Sequence, residues 1–417
     1  MRYVSGPAET PVEGPSPARN PWLLCGLRAA QMALFPMAIL TVFLQREVGF
    51  SVTEIMLLQG VFGLAMVLFE FPSGYLADRI GYRRCLIAAF GLWVVGWSVY
   101  GFAGGWLGVA TAELLLGIGM ALVSGCDVAL LYESLLVRGE ADDYAKWAGR
   151  VTFCGQIAEG SAALGAGLMF AWARWLPFVA EAALAFFGLL LALALVEPQR
   201  ERPSFEDNLG QIRAMVRHVA IESPPLRAVV VAATVLGMAS FIPVWTIQLY
   251  AVDAGVDAQW LGPVWAIANF SVAFAALASH RLLGSRPLAL VVGLCTALIV
   301  AGFCGLGLST TIWGVGFYYA LTVMRGLQRP VLSQREQQLV PSRDRAGFVS
   351  LRSMLFRVVF LVVGPLVGWG VDRWGQHPVM LALALGFGLA GLATLVLVTR
   401  SLPAGRPPGP GPAQAAG

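Results

Sequence analysis

The sequence predicts an all-α integral membrane protein with twelve transmembrane helices arranged as two six-helix halves. Three observations predict it. The 417 residues are 58% hydrophobic and only 12% charged, about half the charge that a soluble surface usually carries. Apolar runs of spanning length recur twelve times, at roughly 20 residues per crossing. One long polar connection divides them six and six. Little chain is left over for an enzyme-sized soluble domain.

The runs predict helices near 21–44, 53–77, 84–104, 106–134, 144–171 and 175–196, then 226–251, 258–280, 287–307, 311–335, 346–370 and 377–399. Residues 1–20 are rich in proline and small residues and contain no apolar stretch, so they read as a cytoplasmic tail and not as a cleavable signal. Connections after even-numbered spans hold the basic residues, from Arg79, Arg83 and Arg84 through Arg138, Lys146, Arg200, Arg202, Arg213, Arg217, Arg227, Arg281 and Arg286 to Arg335, Arg343 and Arg345. Those after odd-numbered spans hold only Arg46, Arg174 and Arg373. Basic residues stay on the cytoplasmic side, so the even loops and both termini are expected there.

Residues 197–225 form the expected cytoplasmic linker between a first bundle (21–196) and a second (226–399). Its middle has the spacing of a short amphipathic helix, with Leu209, Ile212, Met215, Val216 and Val219 on one face and Arg213 and Arg217 on the other. The tail 400–417 is of low complexity and is expected to be disordered. The six cysteines, Cys25, Cys85, Cys126, Cys154, Cys295 and Cys304, all fall in apolar runs and read as small hydrophobes. The net charge of +4 says little about nucleic acid, and no such partner is expected.

After the second span stands Gly74-Tyr-Leu-Ala-Asp78-Arg79-Ile-Gly81-Tyr82-Arg83-Arg84. It resembles the signature G-x-L-A-D-R-x-G-R-[RK] that major facilitator superfamily transporters carry between helices 2 and 3. Gly74 permits close helix contact, Asp78 can complement a helix N-terminus, and the arginines can hold carboxylates. Together they read as a breakable cytoplasmic latch, which the resemblance extends to Asp127, Glu133 and Arg150 nearby. The match departs at Tyr82, where a basic residue is usual. A degraded second copy, Leu277-Ala-Ser-His280-Arg281-Leu-Leu-Gly284-Ser-Arg286, lies between helices 8 and 9.

The resemblance implies two pseudo-symmetric bundles rocking about a central site. It also implies a monomer in the cytoplasmic (inner) membrane that needs no cofactor beyond a proton gradient. Segments 124–134 and 324–357 look like those of bacterial drug-exporter-like members. Helix 5, however, has Gly149, Gly155, Gly160, Gly165 and Gly167 without the proline of that group, whereas Gly364-Pro365 stands in helix 11.

Ionisable residues at membrane depth are costly and so are functional candidates. The first six spans hold Glu70, Glu113, Asp127, Glu159 and Glu181 with Arg28 and Arg150. The last six hold Arg325, Arg329 and Arg357. Glu159 shares a helical face with Thr152, Gly155 and Gln156 and is the proton-coupling candidate; permanent pairing is the competing reading. Arg28, Gln31, Gln156, Asn269, Arg325 and Arg357 are the substrate-cavity candidates. Arg325 and Arg357 fit either an anionic substrate or a counter-ion role, and Arg329 a counter-ion role. Glu113 and Glu181 stand in the outer third, where snorkelling to water is expected.

No nucleophile or metal cluster is visible, His218, His280 and His377 being far apart, so an enzyme is not expected. The resulting expectation is proton-coupled export of a small amphipathic compound. Uptake or facilitated movement of a small organic anion on Arg325 and Arg357 is an alternative, and a transport-inactive receptor on the same scaffold is a more remote one.

Overall fold

The computed structural model describes residues 17–198, 216–284, 286–340 and 345–402, and the regular elements among them are all helical. In chain order they are α1 (Asn20–Met32, resumed after a break over Phe35–Val48), α2 (Val52–Ile80), α3 (Tyr82–Phe102) and α4 (Trp106–Val123, resumed as Cys126–Val137). Then come α5 (Tyr144–Trp172), α6 (Leu176–Ala194), α7 (Pro224–Asp253), α8 (Leu261–Leu283), α9 (Leu288–Leu308), α10 (Val315–Leu339), α11 (Arg345–Trp374) and α12 (Gln376–Ser401).

Among the described residues nine helices are long and apolar enough to cross a bilayer, and α1 adds a tenth as a pair bent by 47°. The other two, α5 and α10, have 29 and 25 residues, ample length at 1.5 Å per residue. They fall short on hydropathy alone, because Gln156 and Glu159 interrupt one and Arg325, Gln328 and Arg329 the other. Both pack against neighbours along one side, α5 against α1 and α8, and α10 against α7, α8 and α9, while Phe153, Ile157, Leu164 and Leu168 of α5 stay exposed on the other side. A helix can carry a polar face where that face turns to neighbouring helices and its apolar side to lipid.

Packing falls into two sets, α1–α6 and α7–α12, which touch mainly along α2 with α11, α5 with α8, and the resumed part of α1 with α7. The side carrying both chain ends is called here the near side. There, buried Asn20 at the start of α1 donates to Ser134 Oγ at 2.8 Å and to Val196 O at 2.7 Å, and accepts from Val196 N at 3.0 Å. One amide thus ties the ends of α1, α4 and α6. Asn20→Ala strands these partners, and an unmet buried polar group costs about 1–3 kcal/mol. A lowered thermal midpoint of the purified protein is the expected result.

On the far side, buried Gln248 of α7 donates to Met37 O at 2.7 Å and accepts from Thr41 N and Oγ1 at 3.0 and 2.8 Å. Arg46 pairs with Asp253 at 3.2 Å. The two halves are therefore stitched together at this end.

Two breaks shape the interior. In α1, Leu34 takes a left-handed φ of +45° and Pro36 opens the next turn. Glu181 of α6 accepts from the Phe35 amide, which the break frees from the helix, at 2.9 Å. In α4, Gly125 takes φ +83°, a conformation that glycine adopts at least cost. Glu181 and Glu113 do not snorkel; they are 2% and 3% exposed. Glu113 faces inward, where Gln59 and Tyr100 donate to it at 2.6 and 2.9 Å, so interior amide and hydroxyl groups replace the water expected from its depth.

Of the linker, Leu209, Ile212, Arg213 and Met215 lie outside the described residues, as do residues 1–16 and 403–417. Beyond Glu197 and Pro198 the described residues resume at Val216, and Val219 packs against Leu226, Val230, Val340 and Phe348.

Candidate functional site

The charged candidates fall into two groups, one among α1, α4, α5, α8 and α10 and one between α2 and α11. Arg28 lies one turn from Gln31 on α1 and donates to its Oε1 at 2.7 Å. The same guanidinium stands 3.8 Å from Asp127, which the break at Gly125 places in the first turn of the resumed α4. Gln31 is buried, with its amide on Met120 Sδ at 3.5 Å. Gly155 permits this approach of α5, since a Cβ there would lie 3.0 Å from Arg28 Cγ. Leu86 and Phe90 of α3 complete a cleft around Arg28, Gln31 and Asp127.

Glu159, half-buried, shares a face of α5 with exposed Gln156 and Thr152. It forms no ion pair within 4 Å among the described residues. Its electrostatic neighbours are Arg325 of α10 and Arg28 of α1, and beside it lies Asn269 of α8. The amide nitrogen of Asn269 is buried without a well-formed hydrogen bond.

The second half supplies the cations. Arg325 Nε donates to Ser240 Oγ of α7 at 3.2 Å, and its terminal nitrogen to Ser240 O. Arg329, one turn further on α10, is exposed and has no carboxylate within 4 Å among the described residues, so the expected counter-ion for it is not there. Arg352 pairs with buried Glu336 at 3.2 Å. Arg357 donates to Ser353 Oγ, touches Met66 Sδ at 3.2 Å and pairs with Glu70 at 3.6 Å, bridging α11 and α2. Acidic groups of the first half thus face basic groups of the second, Glu159 beside Arg325 and Glu70 beside Arg357. Such fields attract charged solutes and hold the halves together.

The signature after α2 lies on the near side. Gly74 has open space around it, Arg79 and Arg84 are exposed, and the side chain of Asp78 lies outside the described residues. Gly81 takes φ +99° between α2 and α3. Glu197, just past α6, accepts from the amides of Tyr82 and Arg83 at 2.9 and 2.7 Å, and Arg83 donates to Leu193 O at 2.7 Å. A carboxylate at the start of α3 complements its dipole. Glu133 is half-buried near the end of α4, with no ion pair among the described residues. Arg150 lies over the rings of Trp147 and Trp22, with centroids at 4.7 and 5.6 Å.

Sequence reasoning missed Glu197, Ser240 and the Arg352–Glu336 pair. Only Glu197 had a visible signal, an acidic residue followed by proline where an apolar run stops. The other partners are set by packing between distant helices.

The profile of the Major Facilitator Superfamily matches residues 22–362. No curated protein matches the chain. Among solved structures, the nucleoside transporter NupG is similar with a TM-score of 0.76 at 14% identity, covering 91% of this chain and 98% of its own. A peptide transporter, POT, gives 0.72 at 14% identity, with 92% and 95% covered. A bacterial homologue of the human lysosomal transporter Spinster, inward-facing and unoccupied, gives 0.68 at 14%, with 94% and 96% covered. Likeness at this identity speaks for the fold, while the profile spans most of the chain: the protein belongs to the major facilitator superfamily and is a multi-pass membrane transporter of small molecules.

Proposed function

We propose that the chain exports a small amphipathic compound in exchange for protons, by alternating access, with Glu159 as the proton carrier. The observation that carries this reading is the isolation of Glu159. It is a carboxylate at mid-membrane depth, without an ion pair among the described residues, with Arg325 and Arg28 as its electrostatic neighbours on opposite halves. The charge state of such a group follows whichever cation stands beside it. When the halves move, or a substrate enters, the cations move and the proton is taken up or released.

Around it the cavity offers hydrogen-bonding groups from Gln31, Gln156 and Asn269, and an apolar wall from Phe270, whose ring lies 3.5 Å from where a Cβ on Gly160 would stand. That mixture suits an amphipathic solute. The arginine-rich loops set the near side in the cytoplasm. On this orientation the contacts at Gln248 and Arg46 close the extracellular side.

A second reading has one observation in its favour. Arg329 is exposed and without a carboxylate partner, whereas Arg325 and Arg357 are already engaged by Ser240 and Glu70. A small organic anion would meet Arg329 first.

A ligand screen by thermal stabilisation supplies a substrate, and proton movement is then followed in sealed vesicles. Glu159→Gln is expected to abolish substrate-driven proton flux while substrate binding survives. Unchanged coupling in that variant removes Glu159 from the mechanism.

A further inference from the structure

The near-side signature has a counterpart at the opposite face. Gly74-x-x-x-Asp78-Arg79-x-Gly81 at the end of α2 recurs as Gly368-x-x-x-Asp372-Arg373-x-Gly375 at the end of α11. Both closing glycines are left-handed, with φ of +99° and +81°. The two helices run antiparallel and touch along their length. A Cβ on Gly60 would lie 3.1 Å from Leu361, one on Gly63 3.9 Å from Arg357, and one on Gly368 2.7 Å from Thr53 Cα. Each helix therefore carries the signature at its C-terminal end, beside the start of the other.

At the far side the contact is formed. Asp372 accepts from Val52 N and Thr53 N, each at 2.8 Å, and from Thr53 Oγ1 at 2.5 Å. The next amide of α2, Glu54 N, is taken locally by Ser51 Oγ at 3.2 Å, while Glu54 accepts from Ser51 N at 2.9 Å. The free amides at the start of α2 are thus shared between its own capping box and a carboxylate from the other half. Charge-assisted bonds to a helix N-terminus are among the stronger polar contacts.

We infer that Asp372 is a gate residue of the transport cycle, the far-side member of a pair of latches built from one signature. It acts by position, without touching substrate. Val52 and Thr53 belong to the first half and Asp372 to the second, so these bonds must part whenever the far side opens. Two of the three bonds lie at the exposed edge of the contact, where water can replace them as they break. Gly368 keeps the backbones close enough for Asp372 to reach. This inference is independent of whether Glu159 carries protons.

Spin labels at Trp106 and Trp313, exposed on far-side ends of the two halves, report the far-side distance by double electron–electron resonance once the six native cysteines are replaced. A second pair at Lys146 and Arg281 reports the near side. Asp372→Ala and Asp372→Asn are expected to raise the long-distance far-side population about tenfold or more, as for the loss of a charge-assisted hydrogen bond, with reciprocal shortening on the near side. Asp372→Glu should restore much of the short distance, and Thr53→Val should shift it in the same direction as the asparagine variant. A merely structural role would lower thermal stability without moving either distance. Unchanged distances in Asp372→Asn, which alters charge but hardly shape, overturn the inference even if the alanine variant does not fold.

Discussion

Leucine in place of Gly167 is expected to leave the transporter unable to close its far side, with transport cut about tenfold or more. The reason lies in what a side chain would meet. A Cβ at Gly167 would stand 2.5 Å from Gln259 O and 2.9 Å from Ala258 O, and one at Gly262 of α8 would lie closer still to Ala163 O. These neighbours are backbone atoms of the opposite half, so no rotamer change can relieve the clash. Overpacking a rigid contact costs roughly 1–3 kcal/mol, and about 1.4 kcal/mol already shifts an equilibrium tenfold. Within one bundle that cost would lower stability. Between two bundles that rock, the cheaper response is to stay apart, so the far-side-open state is favoured. Gly149, on the same helix, has nothing within 4 Å of a Cβ. Gly149→Leu should therefore transport normally, and equal loss in both variants would show that α5 merely tolerates no bulk. Distances between spin labels on the two halves distinguish a trapped carrier from an unfolded one.

This contrast explains a feature that sequence alone left unexplained. The five glycines of helix 5 did not fit a proline-containing exporter pattern, yet Gly155 admits Arg28 and Gly167 admits the backbone before α8. Other features were legible for simple reasons. Lipid-facing surfaces must be apolar, so hydropathy located most of the spans, and basic loops marked one face. The same logic weakens for α5 and α10, whose polar residues lower the mean hydropathy while the apolar residues keep to part of the surface. It fails for Glu113 and Glu181, because depth along a helix does not say whether a carboxylate turns to water or to Gln59, Tyr100 and the Phe35 amide. The break in α1 also escaped, since Pro36 announces a bend but not a left-handed leucine. Asp372 escaped for another reason. A duplicated half places a second signature between helices 8 and 9, whereas antiparallel packing of α2 on α11 puts a copy at the opposite membrane face.

Removing Arg357 alone is expected to be more damaging than removing it together with Glu70. The pair meets at 3.6 Å with side chains 20% and 10% exposed, and Glu70 Oε2 has no hydrogen bond to fall back on. Arg357→Ala leaves a buried carboxylate uncompensated, which typically costs roughly 3–5 kcal/mol. Glu70→Ala leaves a guanidinium still held by Ser353 and Met66, so its cost should be smaller. In Glu70→Ala/Arg357→Ala neither charge is stranded, and much of the stability should return, giving a coupling energy of about 0.5–3 kcal/mol in a thermal double-mutant cycle. Transport then separates the two roles open to Arg357. As a counter-ion that ties α2 to α11, it becomes dispensable once Glu70 is gone, and the double variant transports. As the anchor of an anionic substrate it is needed whatever stands at residue 70, so a stable but inactive double variant would favour the anion reading. The geometry favours the first outcome, because Glu70 already occupies the place that a substrate carboxylate would have to take.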